Sequence, residues 1–241
     1  MPQLTLLKAE QPPSFPPTSM ALEEPEGLLA IGGQLTEEWL LNAYQRGIFP
    51  WFSQGDPIMW WSPAPRMVLI PGQAHISRSL KKHFRRQTAL TVRANTAFER
   101  VIGFCADESL RQEGTWITSD MQSAYNDLHY SGWAHSVEVY DHDQLIGGLY
   151  GIGIGSVFYG ESMFSLRSNA SKYAFIALSA WAAENDLNLI DCQLYNPYLA
   201  SLGGELIGRD DFESYLPHQK NRLCLGNGQD LTLSLQQAMG Q

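Results

Sequence analysis

The segment from residue 136 to residue 160 constrains the fold most, because it carries three consecutive strand patterns. Polar and apolar residues alternate over Ser136–Tyr140, which is the period of a β-strand. A turn over Asp141–Gln144 follows, and Leu145–Gly151 and Val157–Gly160 are two further candidate strands, separated by the glycines at 151, 153 and 155. Short connections of this kind join antiparallel neighbours. We therefore expect an antiparallel meander.

One helix and one more strand follow the meander. Apolar residues repeat near helical spacing within Asn169–Glu184, and the apolar run Leu187–Cys192 indicates a buried strand. Strands followed by a helix and a further strand predict an α+β domain with a central, largely antiparallel sheet.

The first 65 residues differ in character from the rest. A proline-rich lead over residues 12–17 precedes a short helical stretch near Thr36 to Arg46, and Pro63 and Pro65 mark a boundary. We expect a small amino-terminal domain over residues 1–65 and a larger domain over residues 66–241.

Length and composition restrict the environment of the protein. With 241 residues and 44% apolar content, the chain can bury a full core. Its three cysteines are odd in number and far apart, so neither a disulfide framework nor a Cys-x-x-Cys zinc site is expected. The first residues do not form a secretion signal, and no apolar run reaches membrane-spanning length. We expect a soluble, cytoplasmic protein.

Charge is distributed unevenly along the chain. The net charge is −9, yet no acidic residue occurs between Asp56 and Glu99, where seven cations lie. Such asymmetry favours one anionic and one cationic partner, each attracted to its own surface. Chance clustering on a solvated face is the alternative.

A predicted helix in this span separates charged from apolar residues. Ser77 is a candidate N-cap, and the apolar residues Ile76, Leu80 and Phe84 form one face. The cations, which with Arg86 we call the basic stripe, occupy another face: Arg78, Lys81, Lys82 and Arg85. The basic stripe predicts contact with a phosphate backbone.

Tryptophan is concentrated beside the basic stripe. Trp51, Trp60 and Trp61 fall within eleven residues, and Trp116 lies further along. Indole rings stack on nucleobases with about 1–3 kcal/mol per base. For any single tryptophan, packing in the core is the favoured explanation. For Trp51 and Trp116, which accompany the basic stripe, stacking on a base is favoured equally.

Two carboxylates lie in apolar strand contexts. Glu161 follows Gly160, and Asp191 precedes Gln193 by two residues. On a strand, Asp191 and Gln193 project to the same face, where a carboxylate and an amide could act on one bound group. A structural hydrogen-bonding role is the alternative, although the joint occurrence favours a site.

Several common sites are excluded by their patterns. The run from Gly151 to Gly155 continues with Ser156 and a strand, so the dinucleotide-binding pattern fails. No Walker A, His-Glu-x-x-His or Gly-x-Ser-x-Gly pattern occurs, and His75, His83 and His135 do not have ligand spacing. We expect neither a metal nor an organic cofactor.

Six motifs, in order, resemble those of the leucyl/phenylalanyl-tRNA–protein transferase family. The resemblance runs from about Glu24 to Arg209 and implies an acyltransferase domain of the GNAT type that uses aminoacyl-tRNA in place of acyl-coenzyme A. The motifs are Phe49–Ser53, Trp60–Pro63, Glu113–Ile117, Gly160–Ser165, Asn169–Lys172 and Asp191–Gln193.

The resemblance also implies roles for individual residues. Trp51 and Trp116 would hold the terminal adenosine of the tRNA, and the basic stripe would hold its backbone. The pocket for the transferred side chain would be lined by Leu149, Phe158, Met163, Leu178 and Ile190. Such a lining should select Leu, Phe and, less readily, Met, and disfavour β-branched side chains by roughly 1–3 kcal/mol.

The implied reaction is aminolysis of an ester on the α-amine of proteins that begin with Arg or Lys, which marks them for degradation by the N-degron pathway. The hypothesis is that Asp191, oriented through Gln193, engages the amine, while Glu161 and Asn196 position substrate groups. A monomer is expected, with no membrane contact. The alternatives are a GNAT-like acyl-coenzyme A N-acyltransferase and a non-catalytic tRNA-binding module.

Overall fold

Two β-sheets organise the chain in a computed structural model that describes residues 4–110, 114–217 and 220–240. The first sheet has the strand order β1-β2-β4-β3 and consists of β1 (Thr5–Leu7), β2 (Leu28–Gly32), β3 (Phe49–Pro50) and β4 (Met59–Trp61). A 3₁₀ turn at Thr18–Met20 and helix α1 (Glu37–Tyr44) lie between these strands. Helix α1 confirms the helix expected near Thr36 to Arg46.

The second sheet has seven strands in the order β11-β5-β10-β9-β8-β7-β6. Its strands are β5 (Arg66–Leu69), β6 (Leu90–Ala94), β7 (Ala134–Asp141), β8 (Gln144–Ile154), β9 (Val157–Ser165), β10 (Leu189–Gln193) and β11 (Glu205–Ile207). Among the described strands of this sheet, β9 and β10 are the one parallel pair. The expected α+β class with a central, largely antiparallel sheet is thereby confirmed.

Helices cover both faces of the second sheet. They are α2 (Arg78–Phe84), α3 (Phe98–Ala106), α4 (Ser119–Tyr130), α5 (Ala170–Glu184), α6 (Pro197–Ser201), α7 (Arg209–Ser214) and α8 (Thr232–Met239), with a 3₁₀ turn at Glu108–Leu110. One buried cluster joins α2, α5 and α8 to the sheet, and the other joins α3, α4 and the first sheet to its opposite face. Residues that alternate along a strand, such as Leu149 and Tyr150, belong to different clusters. In the described part of the chain, no helix has the length and apolar composition to cross a membrane.

The first sheet is therefore packed into the core of the molecule. It ends at Trp61, and the second sheet begins at Arg66. The division into domains at residue 65 stays a prediction, and its outer limits, residues 1–3 and 241, lie outside the described residues.

Contrary to the sequence pattern, the glycines at 151 and 153 do not interrupt the meander. Strand β8 continues through both to Ile154, and the turn lies at Gly155 and Ser156. A Cβ at Gly151 would lie 2.2 Å from the carbonyl oxygen of Tyr159, and one at Gly153 would lie 2.6 Å from Leu223. The two glycines permit close approach of neighbouring segments, which is a second reason for glycine in a strand.

Candidate active site

A pocket of about 570 Å³ lies where strands β9 and β10 stop pairing. The last pair joins Asp191 to Tyr159, after which β9 continues beside β8 and the β10–β5 register shifts between Asp191 and Gln193. Because the two strands separate, side chains from both reach the same space. The volume falls in the range of small-molecule sites, about 300–1,000 Å³.

This pocket brings together eleven residues that the sequence analysis singled out. Its apolar part contains all five residues expected to select a side chain, together with Phe175 of α5, which the sequence analysis did not include. The eleven are Trp51, Trp116, Leu149, Phe158, Glu161, Met163, Leu178, Ile190, Asp191, Gln193 and Asn196.

The tryptophans separate into two groups. Trp60 and Trp61 are buried and donate their indole N–H to the carbonyl oxygens of Gly32 (2.8 Å) and Trp51 (2.6 Å). Trp51 is 39% exposed, and Trp116 is half-buried at the same pocket. Core packing therefore explains the first group, while the second has ring surface that a ligand can contact. Glu113, the first residue of the motif that contains Trp116, lies outside the described residues.

Glu161 lies at the centre of a hydrogen-bonding cluster. Its Oε1 accepts from the Tyr44 hydroxyl (2.7 Å) and from Nε2 of Gln193 (2.9 Å), and its Oε2 accepts from the Tyr125 hydroxyl (3.0 Å). The two hydroxyls are 2.5 Å apart. Helix α1, which lies between strands of the first sheet, thus supplies a buried side chain that holds a residue of the pocket.

Burial controls the protonation of this cluster. Desolvation raises the pKa of Glu161 to about 7, and the charge of Asp191 adds to this, although the three hydrogen bonds act in the opposite direction. Burial, reinforced by the charge of Glu161, raises the pKa of Tyr44 and Tyr125 well above the usual value. Both phenols stay protonated at neutral pH, and Glu161 titrates near neutrality.

Asp191 is placed differently from the hypothesis that it contacts the attacking amine. Its side chain has 0% exposure, and its carboxylate accepts from Nε and Nη2 of Arg66 (2.9 and 2.7 Å) and from the backbone N–H of Gln193 (2.8 Å). The backbone of Gln193 is left-handed, with φ +64°, so the period of two breaks there. The two side chains consequently bond to different partners, Arg66 and Glu161, and direct contact between Asp191 and a substrate amine does not fit this geometry.

Asn196 caps a helix. Its Oδ1 accepts from the backbone N–H groups of Tyr198 (2.8 Å) and Leu199 (3.3 Å) at the start of α6. The oxygen is thus engaged in a structural role, and the side-chain NH₂ is the part that remains for a substrate.

The basic stripe lies outside the pocket on α2 and the residues after it. Ser77 caps this helix by accepting from the backbone N–H of Leu80, as expected, and Leu80 and Phe84 are buried. Lys81 is half-buried and the other four cations are exposed. Over the described residues, none of the five has an acidic oxygen within 4.0 Å. Phe84 packs on Tyr173 of α5, the helix that also lines the pocket.

The sequence analysis missed three residues of this site: Arg66, Tyr44 and Tyr125. Each contacts its partner across a long stretch of chain, so no local pattern reveals the pairing. Arg66 did carry one signal, because it directly precedes the apolar run from Met67 to Ile70. A cation at the start of a buried strand requires an anionic partner, and Asp191 was the matching acid in an apolar context.

Comparisons with known proteins point to one family. A family model described as Leucyl/phenylalanyl-tRNA protein transferase matches residues 68–217, and the model of that family's N-terminal domain matches residues 33–64. A Leucyl/phenylalanyl-tRNA--protein transferase of Shewanella piezotolerans is 52% identical over 221 residues, which cover 92% of this chain and 93% of the relative. One of Shewanella pealeana is 53% identical over 208 residues, covering 86% and 88%.

Among solved structures, L-PGS from Bacillus licheniformis shares 13% identity at a TM-score of 0.40. The match covers 70% of this chain and 54% of that one, so this chain spans about half of that protein, and the likeness is too weak to assign a fold. The family models and the curated relatives do identify the chain: it belongs to the leucyl/phenylalanyl-tRNA protein transferase family, a family of enzymes.

Proposed function

We propose that the protein transfers leucine or phenylalanine, and less readily methionine, from aminoacyl-tRNA to the α-amino group of proteins that begin with Arg or Lys, marking them for the N-degron pathway. The observation that carries this proposal is one pocket that joins an apolar lining, two accessible indole rings and the Glu161–Gln193 pair. Each part suits one portion of an aminoacyl-adenosine and its attacking amine.

In this proposal the substrates occupy separate surfaces. The terminal adenosine stacks against Trp51 and Trp116, and the aminoacyl side chain enters the lining formed by Leu149, Phe158, Met163, Leu178 and Ile190. The tRNA backbone contacts the basic stripe. Its cations neutralise phosphates and thereby release the counterions that were condensed on the tRNA, which favours binding.

Chemistry then proceeds at the edge of the pocket. The acceptor nitrogen attacks the ester carbonyl carbon, a C–N bond forms, and the C–O bond to the tRNA ribose breaks. Glu161 takes the proton of the attacking amine, and the ribose oxygen receives a proton as it leaves. A carboxylate with a pKa of about 7 suits this role, because a general base is most effective near the working pH. Gln193 orients that carboxylate, while Asp191 acts through Gln193.

The test is a transfer assay with radiolabelled leucyl-tRNA and a peptide that begins with Arg. We expect label in the peptide from intact leucyl-tRNA, and none after ribonuclease treatment or from leucyl-coenzyme A. The matched variant is Glu161→Gln, which keeps the side-chain shape and should lower kcat by about 10²–10⁴-fold, the usual contribution of a general base.

Two outcomes would contradict the proposal. Label delivered from leucyl-coenzyme A would favour the acyl-coenzyme A acyltransferase. Retention of tRNA without any labelled peptide would favour a binding module.

A further inference from the structure

Arg66 is the most enclosed cation of the described chain. It is 1% exposed, and the central carbon of its guanidinium lies over the rings of Phe49 and Phe212, at 4.7 and 4.6 Å from their centroids. Phe49 belongs to the first sheet, and Phe212 belongs to α7. Both rings pack against the guanidinium, whose only acidic partner among the described residues is Asp191.

The contact with Asp191 is a two-point contact. Arg66 donates from Nε and Nη2 to both carboxylate oxygens, at 2.9 and 2.7 Å. A planar fork of this kind fixes orientation as well as distance. The carboxylate therefore has one permitted position.

That position determines the backbone of Gln193. Its N–H donates to Oδ1 of Asp191 at 2.8 Å, and its φ is +64°. Residues other than glycine rarely adopt this left-handed conformation, which persists where surrounding contacts impose it. In this conformation the Gln193 side chain reaches into the pocket, where Nε2 donates to Glu161 at 2.9 Å.

We propose that Arg66 is a positioning residue for aminoacyl transfer: by fixing the Asp191 carboxylate it holds Gln193 in the conformation that orients Glu161. The inference rests on the function proposed above. Arg66 does not line the pocket, so it acts on the reaction without touching a substrate.

Two variants test this role. Arg66→Lys keeps the charge but removes the fork, and we expect kcat for leucine transfer to fall by about 10²-fold, the scale of a 1 Å misplacement, with KM for leucyl-tRNA changed by less than about twofold. Arg66→Met combined with Asp191→Leu removes both buried charges, a replacement that usually preserves stability. Its thermal midpoint should stay near that of the wild type while kcat stays low, because the Gln193 N–H no longer has its acceptor.

The matched control is Arg209→Lys. Arg209 also makes a forked contact, donating to Oγ and O of Ser62 at 2.9 Å each, but it makes no contact with Asp191. Removal of this fork should leave kcat unchanged.

Distinct results overturn distinct claims. If the wild type labels no peptide, the proposed function fails. If the wild type is active and the double variant keeps kcat within about threefold of it, or if KM alone changes in Arg66→Lys, the positioning role is wrong. Failure of both variants to fold, judged by near-ultraviolet circular dichroism, would assign Arg66 a purely structural role and would also overturn the proposal.

Discussion

Glu161 is a carboxylate whose ionisation opposes folding. Its pKa rises from 4.5 to about 7 in the folded chain, so between these values the folded state holds a proton that the unfolded state has released. The contribution of this group to the free energy of unfolding is therefore largest below pH 4.5, and it is lost as the pH rises through 7.

Glu161→Gln should remove this pH dependence. We expect the free energy of unfolding of the wild type, relative to the variant, to decrease by about 3 kcal/mol between pH 4 and pH 8, at about 1.4 kcal/mol per pKa unit. Urea denaturation of both proteins across this range measures it. Comparison with the variant cancels other titrating groups, including Glu138, whose pKa burial also raises. A constant difference between the two proteins would refute the assignment.

The sequence predicts the residues of the site that belong to local motifs. It does not predict the residues that hydrogen-bond to them from distant parts of the chain. Glu161, Asp191 and Gln193 occur in strand patterns that the sequence displays. Tyr44 reaches Glu161 across 117 positions, and Arg66 reaches Asp191 across 125. Such long-range contacts arise only in the folded chain. The strand pattern predicts a shared face for Asp191 and Gln193, but in the structure their side chains bond to Arg66 and Glu161, respectively.

At the level of single elements, periodicity predicts the strands of the meander and the helix after it. The glycines lead to a wrong end for one strand, because β8 continues past Gly151 to Ile154. Gly151 was interpreted as a break because a strand pattern with repeated glycine resembles a turn. Its physical reason is contact with the neighbouring strand β9, which the sequence of β8 does not encode.

Substitution of Gly151 should therefore be costly. We expect Gly151→Ala to lower the free energy of unfolding by about 1–3 kcal/mol, as overpacking does, because its Cβ would lie 2.2 Å from the Tyr159 carbonyl oxygen. Gly103 in α3 is the matched control, since its Cβ would meet nothing within 4 Å. Gly103→Ala should stabilise the protein by about 0.5–1 kcal/mol through helix propensity. Equal effects of the two substitutions in thermal denaturation would contradict the steric explanation.

The basic stripe on α2 leads to a prediction about salt. Lys82→Gln combined with Arg85→Gln should raise the Kd for aminoacyl-tRNA and reduce the slope of log K against log salt by about 0.7–0.9 for each phosphate that is no longer neutralised, with kcat unchanged. Filter binding over a series of salt concentrations measures both quantities. Lys8→Gln with Arg100→Gln removes two other exposed cations and should leave the slope unaltered. If both pairs behave alike, general charge and not the stripe attracts the tRNA.

Across the whole molecule, the first sheet shares a core with the second. Tyr44 and Trp60 lie in the same buried cluster as Val101 and Tyr125. Proline spacing indicated a boundary at residue 65, but a boundary in sequence does not require independent folding.

We expect the two sheets to unfold together. Native-state hydrogen exchange should give strands β2 and β4 the same free energy of opening as strands β7 and β8, because separation would expose the common core. Mass spectrometry of peptides from each sheet makes the comparison. A lower opening energy confined to β2 and β4 would instead establish a separately unfolding unit.

The place of β10 in the sheet has a consequence for the newly made chain. This strand, Leu189–Gln193, lies between β5 and β9, although both neighbours precede it in sequence. While the ribosome is still producing residues before 189, β5 has no partner on either side, because β10 and β11 both follow, and the meander ends in an open edge. At that stage Arg66 does not yet have the carboxylate of Asp191 as its partner, and Glu161 does not yet have the amide of Gln193. The pairing of β10 with both neighbours and the assembly of the pocket are thus one event, which requires synthesis at least as far as Gln193.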